Sequence, residues 1–362
     1  MIDELLKNLK LPNLMVLNNG ELLDDPKRWV QRRSEIIELL SNEVYGFSPQ
    51  PPKEVVATLR EVDEIAFAGK ATHSKIDLGF ETPKGHFSFP INLIVPKNVS
   101  KVPVFIHISF RPDIPDIFFP AEEIIDNGFA VASFYYEDIV EDCNPDFSRG
   151  LPAMYSEKEN QKRSPNSWGK IAMWAWAAQR VADYLVTIDQ IDREKIMVAG
   201  HSRLGKTALW CAAQDERFAV GISNNSGCTG AAFARGTKRE TIKEIVRVFE
   251  FWFCENYKKY VDNEANMPFD QHFLLAAIAP RAVYVSSAEE DLWADPLSEF
   301  LCCNAASEAF QLLGKPGLVT PDQIPLPDTN LLDGNIGYHI RSGKHYLSRY
   351  DWQQFMKFAK MR

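Results

Sequence analysis

Residues 198–206, with the sequence Val-Ala-Gly-His-Ser-Arg-Leu-Gly-Lys, decide the fold. An apolar run leads into them as a buried strand would, and residues 207–213 predict a helix directly afterwards. A serine on a tight turn between a strand and a helix is the arrangement of a nucleophile elbow. Gly200 stands two residues before Ser202, as this turn requires, but Leu204 takes the second glycine position of the G-x-S-x-G pattern. The turn by itself therefore fits either a catalytic or a structural serine.

Strands and helices alternate on both sides of this turn. Four further runs are apolar on both faces, as the buried strands of a parallel sheet are: Val104–Ser109, Phe129–Phe134, Phe218–Ser223 and Ala282–Ser286. Helical patterns separate or follow them at 120–128, 168–188, 240–260, 296–313 and 352–361. This alternation predicts an α/β fold, a three-layer sandwich with helices on both faces of a doubly wound, mostly parallel sheet.

The chain as a whole, 1–362, reads as a single domain with one extension and one insertion. Residues 1–52 predict an N-terminal helical extension, because apolar residues recur there at helical spacing among charges. Residues 53–362 predict the core of the fold, which opens with antiparallel hairpins between Val55 and Val95. Residues near 137–167 are rich in Asp, Asn, Ser and Pro and predict a polar insertion.

Charge and hydropathy exclude two kinds of partner. The chain has 49 acidic against 40 basic residues, so a nucleic-acid groove is not expected. No apolar stretch approaches the roughly 18 residues of a membrane helix, so no membrane partner is expected either. The N-terminus shows no apolar run with a cleavage site, which predicts a cytoplasmic protein as written, or a secreted one if a leader was removed. The oligomeric state is left open.

Cysteine and histidine spacing gives no indication of a cofactor. The six cysteines form no CxxC pair, which favours free thiols, and the seven histidines form no HExxH or other zinc pattern. Neither a metal nor any other cofactor is therefore predicted.

A serine nucleophile needs a base, and the base needs an orienting acid. In α/β-hydrolases the chain order is serine, acid, histidine. The loop 288–295 follows a buried strand and is rich in acids, and His345 lies in a glycine-containing loop before the last helix. The sequence therefore predicts Ser202, Asp291 and His345 as a catalytic triad on an α/β-hydrolase fold.

Several carboxylates compete for the role of the acid. Asp291 is favoured because it begins a turn, and Glu290 is the second choice, with Glu289 also in reach. Asp295 is followed by proline, which fits a helix N-cap better.

Two other histidines lie near the predicted triad. His339 falls in a short strand, where a hydrogen-bonded structural role is expected. His201 precedes Ser202 and is expected to be a packing neighbour whose Cβ points away from the serine.

An oxyanion needs donors aimed at its developing charge. The backbone N–H of Arg203 is one expected donor, and the loop Phe110–Pro112 should supply another. The side chain of Arg203 adds a cation beside the acyl carbon. A salt bridge from Arg203 to a surface carboxylate is the alternative.

At these residues the chain resembles the glucuronoyl esterases, carbohydrate esterase family fifteen, within the α/β-hydrolase superfamily. Their Gly-Cys-Ser-Arg-x-Gly-Lys elbow is matched by residues 200–206, with His201 in place of the cysteine. The resemblance covers roughly residues 100–352 and includes the runs Trp168–Trp176, Ser226–Ala232, Phe251–Cys254, Met267–His272 and Asp291–Pro296.

The resemblance implies roles for individual residues. It implies Ser202 as nucleophile, Arg203 as oxyanion stabiliser and His345 as base. It also implies contacts to the hydroxyls and ring of a uronic acid sugar from Lys206, Glu240 and Trp293. The alternatives are a solvated helix charge for the lysine, a helix N-terminal acid for the glutamate, and a core position for the tryptophan.

Two further implications concern neighbouring residues. Gln271 and His272 would line the cleft, or would instead belong to the start of a helix. Fungal members place the acid after the strand that follows the elbow, where this chain has Asn225. An amide cannot orient an imidazolium by charge, so the acid would come from the later loop, as in many bacterial members, which favours Asp291. The family is usually secreted, whereas this chain shows no signal.

The function implied is that of a serine carboxylic-ester hydrolase acting on (4-O-methyl-)glucuronoyl esters, small or oligosaccharide, through an acyl-enzyme. One alternative is an acetyl-ester deacetylase on xylan or other sugars with the same triad. The alternative of another class is a non-catalytic carbohydrate-binding homologue.

Overall fold

The structure is a computed structural model that describes residues 1–155, 163–237 and 239–362. Residues 156–162 of the predicted polar insertion, and Lys238, lie outside the described residues. The strands are β1 Val56–Ile65, β2 Ala71–Thr82, β3 Gly85–Pro96, β4 Val102–Ser109, β5 Ala130–Tyr135, β6 Ile191–His201, β7 Phe218–Asn224, β8 Ala282–Ala288, β9 Thr329–Leu331 and β10 Ile336–Arg341.

In the described part of the chain these strands form one sheet in the order β1-β2-β3-β5-β4-β6-β7-β8-β10-β9. The first three strands pair antiparallel, as the alternating pattern between Val55 and Val95 predicts, and β3 meets β5 antiparallel. From β5 to β10 every neighbouring pair is parallel, and β9 adds an antiparallel edge. The carboxyl ends of β6, β7, β8 and β10 therefore meet at one edge of the sheet, where the predicted site residues follow them.

Helices cover both faces of this sheet. Their bounds are α1 Ile2–Leu9, α2 Trp29–Leu40, α3 Ala66–Gly69, α4 Ala121–Asp126, α5 Gly150–Tyr155, α6 Lys170–Leu185, α7 Arg203–Gln214, α8 Ile242–Phe249, α9 Gln271–Ala276, α10 Pro296–Leu312 and α11 Arg349–Ala359. One apolar core lies between the sheet and α6, α7, α9 and α10, and a second lies between the sheet and α4 and α11. The predicted three-layer α/β-hydrolase fold is confirmed.

Two of the predicted helical regions are wrong in part. Residues 10–28 and 46–52 of the extension 1–52 are not α-helical. Around residues 17–21 the N–H of Gly20 closes a tight turn on the carbonyl of Leu17, and the N–H of Leu17 donates to the carbonyl of Glu21, so the chain folds back there. The region 240–260 contains only α8 as an α-helix, followed by a short 3₁₀ segment at Glu255–Tyr260. In both places apolar spacing alone does not separate a continuous helix from short turns that bury the same side chains.

None of the helices in the described ranges combines the length and apolar character that crossing a bilayer requires.

Candidate active site

The turn at Ser202 has the backbone of a nucleophile elbow. Ser202 joins β6 to α7 with φ 57° and ψ −127°, a left-handed conformation that non-glycine residues rarely adopt, and its N–H donates to the carbonyl of Asn224 at 2.8 Å. A Cβ on Gly200 would lie 2.0 Å from the carbonyl oxygen of Leu204, so only glycine fits there. Gly205 packs against β7, where a Cβ would come within 3.0 Å of Ser223. The close approach of helix to strand thus falls one residue later than the second glycine of the common pattern.

His345 and Asp291 lie together at the carboxyl edge of the sheet. Nδ1 of His345 is 2.6 Å from Oδ2 of Asp291, and since an ionised carboxylate only accepts, Nδ1 carries the proton. Asn225 donates its Nδ2 to the same carboxylate oxygen at 2.8 Å. Burial alone would raise the pKa of Asp291, but the hydrogen bonds from His345 and Asn225 outweigh it and hold the pKa below its ordinary value. The carboxylate therefore stays charged beside the ring, and Nε2 of His345 is left as a base.

The competing acids lie elsewhere. The side chain of Glu290 is exposed, and its backbone N–H donates to the carbonyl of Gly343 at 3.0 Å. Asp295 caps α10, with its side chain accepting from the N–H of Ser298 at 3.2 Å and proline following, as its sequence context predicts.

His339 is fully buried in β10 and has partners on both ring nitrogens. Nδ1 lies 2.8 Å from the hydroxyl of Tyr284, and Nε2 lies 2.9 Å from Oδ1 of Asp351. The hydrogen-bonded role expected for it is what the structure shows.

His201 packs directly against the predicted base. Its ring centroid is 4.5 Å from that of His345, a contact that its position in the sequence did not reveal. Nδ1 lies 2.6 Å from Oδ1 of Asn224, whose Nδ2 donates to Ser286 at 2.8 Å, so Nδ1 of His201 is the donor. Burial, reinforced by His345, lowers the pKa of His201 to about 3. A neutral ring thus adjoins the base and adds no positive charge there.

The guanidinium of Arg203 forms an ion pair with Asp142. This carboxylate comes from the predicted polar insertion. The alternative of a salt bridge is therefore right about the ion pair but wrong about its place, because the side chain of Asp142 is only 2% exposed. Asp142 also accepts from Nε1 of Trp252 at 2.6 Å and from the hydroxyl of Tyr136 at 3.2 Å. The guanidinium lies 4.7 Å from the centroid of Trp252 and 5.1 Å from that of Phe249, within cation–π range. Arg203 is therefore held in one place.

Lys206, on the same helix as Arg203, forms an ion pair with Glu240, which lies just before α8. Nζ of Lys206 lies 2.9 Å from Oε2 of Glu240 and also donates to the carbonyl of Cys228. The side chain of Lys206 is 2% exposed, which contradicts a solvated helix charge. Glu240 precedes α8 and its cap Thr241, but its carboxylate points to the lysine, so it does not act as a helix N-terminal acid.

Trp293 lies at the surface of the loop 288–295, which we call the acid loop. It is 53% exposed, which contradicts a core position, and its carbonyl accepts from the N–H of Glu240 at 3.4 Å. An exposed indole beside a buried ion pair is a surface on which a sugar ring can stack.

Gln271 and His272 do not reach this edge. Both are buried in the first turn of α9, where Asp270 is the N-cap. Nε2 of His272 lies 3.1 Å from the carbonyl of Pro12, and burial lowers the pKa of His272 to about 3. The helix-start alternative is the one the structure supports.

Two residues of this region carry no sequence signal. Asp142 looks like one more loop acid, and Glu299 lies within an ordinary helix. Glu299 is fully buried between the residues that follow β7 and the end of β8, where Oε1 accepts from the N–H of Gly227 at 3.0 Å and Oε2 accepts from Ser287 at 2.6 Å. Burial, reinforced by the nearby charge of Asp291, raises the pKa of Glu299 to about 8. Only the fold shows that one of these acids pairs with Arg203 and that the other lies near Asp291.

Within the described ranges, no group of three or more His, Cys, Asp or Glu side chains is placed to hold a metal ion.

Comparison with known proteins gives a consistent result. A family model described as fungal glucuronyl esterase matches residues 80–314. The chain is 34% identical to the carbohydrate esterase MZ0003 of an unknown prokaryotic organism, over 96% of this chain and 88% of that protein. It is 26% identical to 4-O-methyl-glucuronoyl methylesterase 1 of Phanerochaete chrysosporium, over 96% and 75% of the two chains. The glucuronoyl esterase of Solibacter usitatus superposes with a TM-score of 0.90 at 35% identity, over 97% of both chains. The chain therefore belongs to the glucuronoyl esterase family.

Proposed function

We propose that this chain is a carboxylic-ester hydrolase that cleaves (4-O-methyl-)glucuronoyl esters, with Ser202 as nucleophile, His345 as base and Asp291 as the orienting acid. The observation that carries the proposal is the 2.6 Å contact between His345 and the buried carboxylate of Asp291. The ring of His345 also packs on His201, which directly precedes the elbow serine and its left-handed backbone. The family to which the chain belongs, and the names of its relatives, support the same reaction.

The reaction has two halves. Oγ of Ser202 attacks the C6 carbonyl carbon of the uronate while Nε2 of His345 takes the hydroxyl proton. The bond from the carbonyl carbon to the alcohol oxygen then breaks, and the alcohol leaves with that proton. Water attacks the acyl-enzyme, gives a proton to His345, and the ester bond to Ser202 breaks as Oγ takes the proton back. Asp291 stabilises the imidazolium in both halves without itself becoming protonated.

Arg203 is proposed to stabilise the oxyanion. Its backbone N–H follows the nucleophile directly, which is the usual position for one donor. Its guanidinium is fixed by Asp142 and by the aromatic rings around it, so little reorganisation is needed when negative charge develops. A preorganised cation in a partly desolvated place stabilises the transition state more than a mobile one.

Lys206, Glu240 and Trp293 are proposed to hold the sugar. Nζ of Lys206 has three N–H groups, of which Glu240 and the carbonyl of Cys228 account for two. The pair offers both a donor and an acceptor, which is what a sugar hydroxyl needs. The sugar on the acyl side of a uronate ester can therefore bind these three residues, whereas an acetyl group is too small to use them.

The sequence predicts a cytoplasmic enzyme, or a secreted one if a leader was removed. Glucuronoyl esterase activity in the medium, compared with that in lysed cells of the source organism, separates the two.

The central test is hydrolysis of benzyl glucuronate together with labelling by a fluorophosphonate probe. The wild-type enzyme should release benzyl alcohol and form an adduct at Ser202, and Ser202→Ala should lose both. Retained hydrolysis by Ser202→Ala would overturn the nucleophile. A wild-type protein that neither hydrolyses the ester nor forms an adduct would instead be a binding protein.

A further inference from the structure

The loop that carries His345 curls around a single guanidinium. Arg341, the last residue of β10, donates from Nη1 to the carbonyl of Ser342 at 3.0 Å and from Nη2 to the carbonyl of Lys344 at 3.2 Å. Nη2 also donates to the carbonyl of Tyr346. The carbonyls on both sides of His345 thus converge on one side chain.

The guanidinium is itself held from the opposite side. Its Nε lies 3.0 Å from both carboxylate oxygens of Asp351, which is fully buried in the first turn of α11. Asp351 also accepts from the N–H and the hydroxyl of Ser348, each at 2.6 Å, in a capping box. The carboxylate therefore ties Arg341 to the start of a helix packed on the sheet.

Two further bonds also restrain this loop, from the N–H of Ser342 to the carboxylate of Asp328 at 3.3 Å and from the hydroxyl of Tyr346 to the carbonyl of Ile117 at 2.6 Å. Its backbone meets the acid loop through two bonds, from the N–H of Glu289 to the carbonyl of Arg341 at 2.8 Å and from the N–H of Glu290 to that of Gly343 at 3.0 Å. Both lie before His345 in the chain. Gly343 has φ 98°, a conformation that gives the loop its sharp bend. The guanidinium of Arg341 thus binds the two carbonyls, of Lys344 and Tyr346, that flank the ring of His345 in the chain.

A guanidinium suits this place better than another cation. It is planar, permanently charged, and presents five N–H groups in a fixed fork. Here the fork meets a carboxylate on one edge and loop carbonyls on the others. A lysine ammonium is a point charge and cannot hold both edges at once.

We propose that Arg341 is a positioning residue for the base, which fixes the ring of His345 against Asp291 by ordering the backbone on both sides of it. The inference rests on the proposed role of His345. It predicts that the loss of Arg341 lowers kcat and leaves KM nearly unchanged, because the substrate contacts lie on other elements.

The experiment compares Arg341→Ala and Arg341→Lys with the wild type on benzyl glucuronate. A loop displaced by about 1 Å costs on the order of 100-fold, so Arg341→Ala should lose about that much kcat, with Arg341→Lys between it and the wild type. Free guanidinium chloride at millimolar, non-denaturing concentration should fill the vacated space and restore part of kcat in Arg341→Ala. A general loss of stability would not respond in this way.

Arg281→Ala is the matched control. Arg281 is likewise a largely buried guanidinium that donates to backbone carbonyls, those of Asp215 and Phe218, at the far end of the strands. The kcat of the Arg281→Ala variant should stay within about threefold of the wild-type value and should not rise when guanidinium is added. If Arg341→Ala fails to fold, kcat and KM are measured on Arg341→Lys, in which a lowered kcat at a nearly unchanged KM is expected.

The outcomes are distinct. Wild-type kcat in whichever of the two variants folds, or a loss in folded Arg341→Ala that guanidinium does not restore, overturns the positioning role. Ser202→Ala and His345→Ala are measured in parallel. Activity retained in either of them would contradict the proposed triad itself. Activity lost in both but kept in Arg341→Ala would contradict only the positioning role of Arg341.

Discussion

The Nδ2 atom of Asn225 lies 2.8 Å from Oδ2 of Asp291, the same oxygen that meets Nδ1 of His345. Asn225 follows β7 and Asp291 lies in the loop after β8, the neighbouring strand of the sheet. The amide of Asn225 therefore supports an acid that a later loop supplies. The two positions are thus neighbours in space, although 66 residues separate them in the sequence.

Asn225→Asp should shift the acidic limb of the kcat/KM profile to higher pH. The substitution places two carboxylates in hydrogen-bond contact in a buried place, and like charges so close raise the pKa of one of them. Protonation would then weaken the support for His345 at a pH where the wild type is still active. Asn225→Ala, which removes the amide without adding charge, is the control and should shift the limb less. An unshifted limb in Asn225→Asp would contradict the shared contact.

Asp291→Asn should lower kcat far more than Glu290→Gln. An amide in place of the acid favours the wrong tautomer of the base, and the corresponding change in a serine protease costs about 10⁴-fold. Glu290 is exposed and should change kcat by less than about threefold, since isolated surface charges contribute little. The measurement is kcat on benzyl glucuronate for both variants. A larger loss of kcat in Glu290→Gln than in Asp291→Asn would identify Glu290 as the acid instead.

The sequence could predict the residues whose order and context are imposed by the fold. Ser202, Asp291 and His345 each follow a strand of the parallel sheet, and the carboxyl ends of such strands meet at one edge. The partners of these residues were not predictable. Asp142 reaches Arg203 from a loop without periodicity, and the contact of His201 with His345 depends on the twist and packing of neighbouring strands. Such contacts are set by tertiary structure, which local patterns do not encode.

Asp142→Asn should reduce kcat by on the order of 100-fold, the loss expected when one oxyanion stabiliser is misplaced. The change keeps the shape of the side chain but removes the charge that holds Arg203. It also leaves a partly buried cation without its partner, so the free energy of unfolding should fall by about 3 kcal/mol. Glu141→Gln, at the adjacent exposed position, is the control for both kinetics and urea unfolding. Wild-type kcat in a folded Asp142→Asn would show that Arg203 needs no such anchor.

Lys206→Ala and Glu240→Ala should separate uronate esters from acetyl esters. Each change breaks a pair proposed to bind the sugar, so KM for benzyl glucuronate should rise by about tenfold or more, the loss of about one hydrogen bond to a charged group. Hydrolysis of 4-nitrophenyl acetate, which has no sugar on the acyl side, should stay within about threefold. Equal losses on both esters would instead indicate a structural role, and no loss on either would favour the acetyl-ester alternative.

Glu299→Gln should change how stability depends on pH. The carboxyl of Glu299 has a pKa of about 8 in the folded chain against an ordinary value of 4.5, so between these values the folded chain holds a proton that the unfolded chain has lost. The stabilisation is complete below pH 4.5 and is lost as the pH rises towards 8, at no more than about 1.4 kcal/mol per pH unit. Glutamine imitates the protonated acid and does not titrate.

Urea unfolding from pH 5 to 8 should therefore show that the free energy of unfolding declines less steeply with pH in Glu299→Gln than in the wild type. The control is Glu38→Gln, on the exposed face of α2, which should keep the wild-type slope. If the slope of Glu299→Gln equals that of the wild type, the carboxyl is charged across this range, and the buried charge beside Asp291 must be neutralised by some other group.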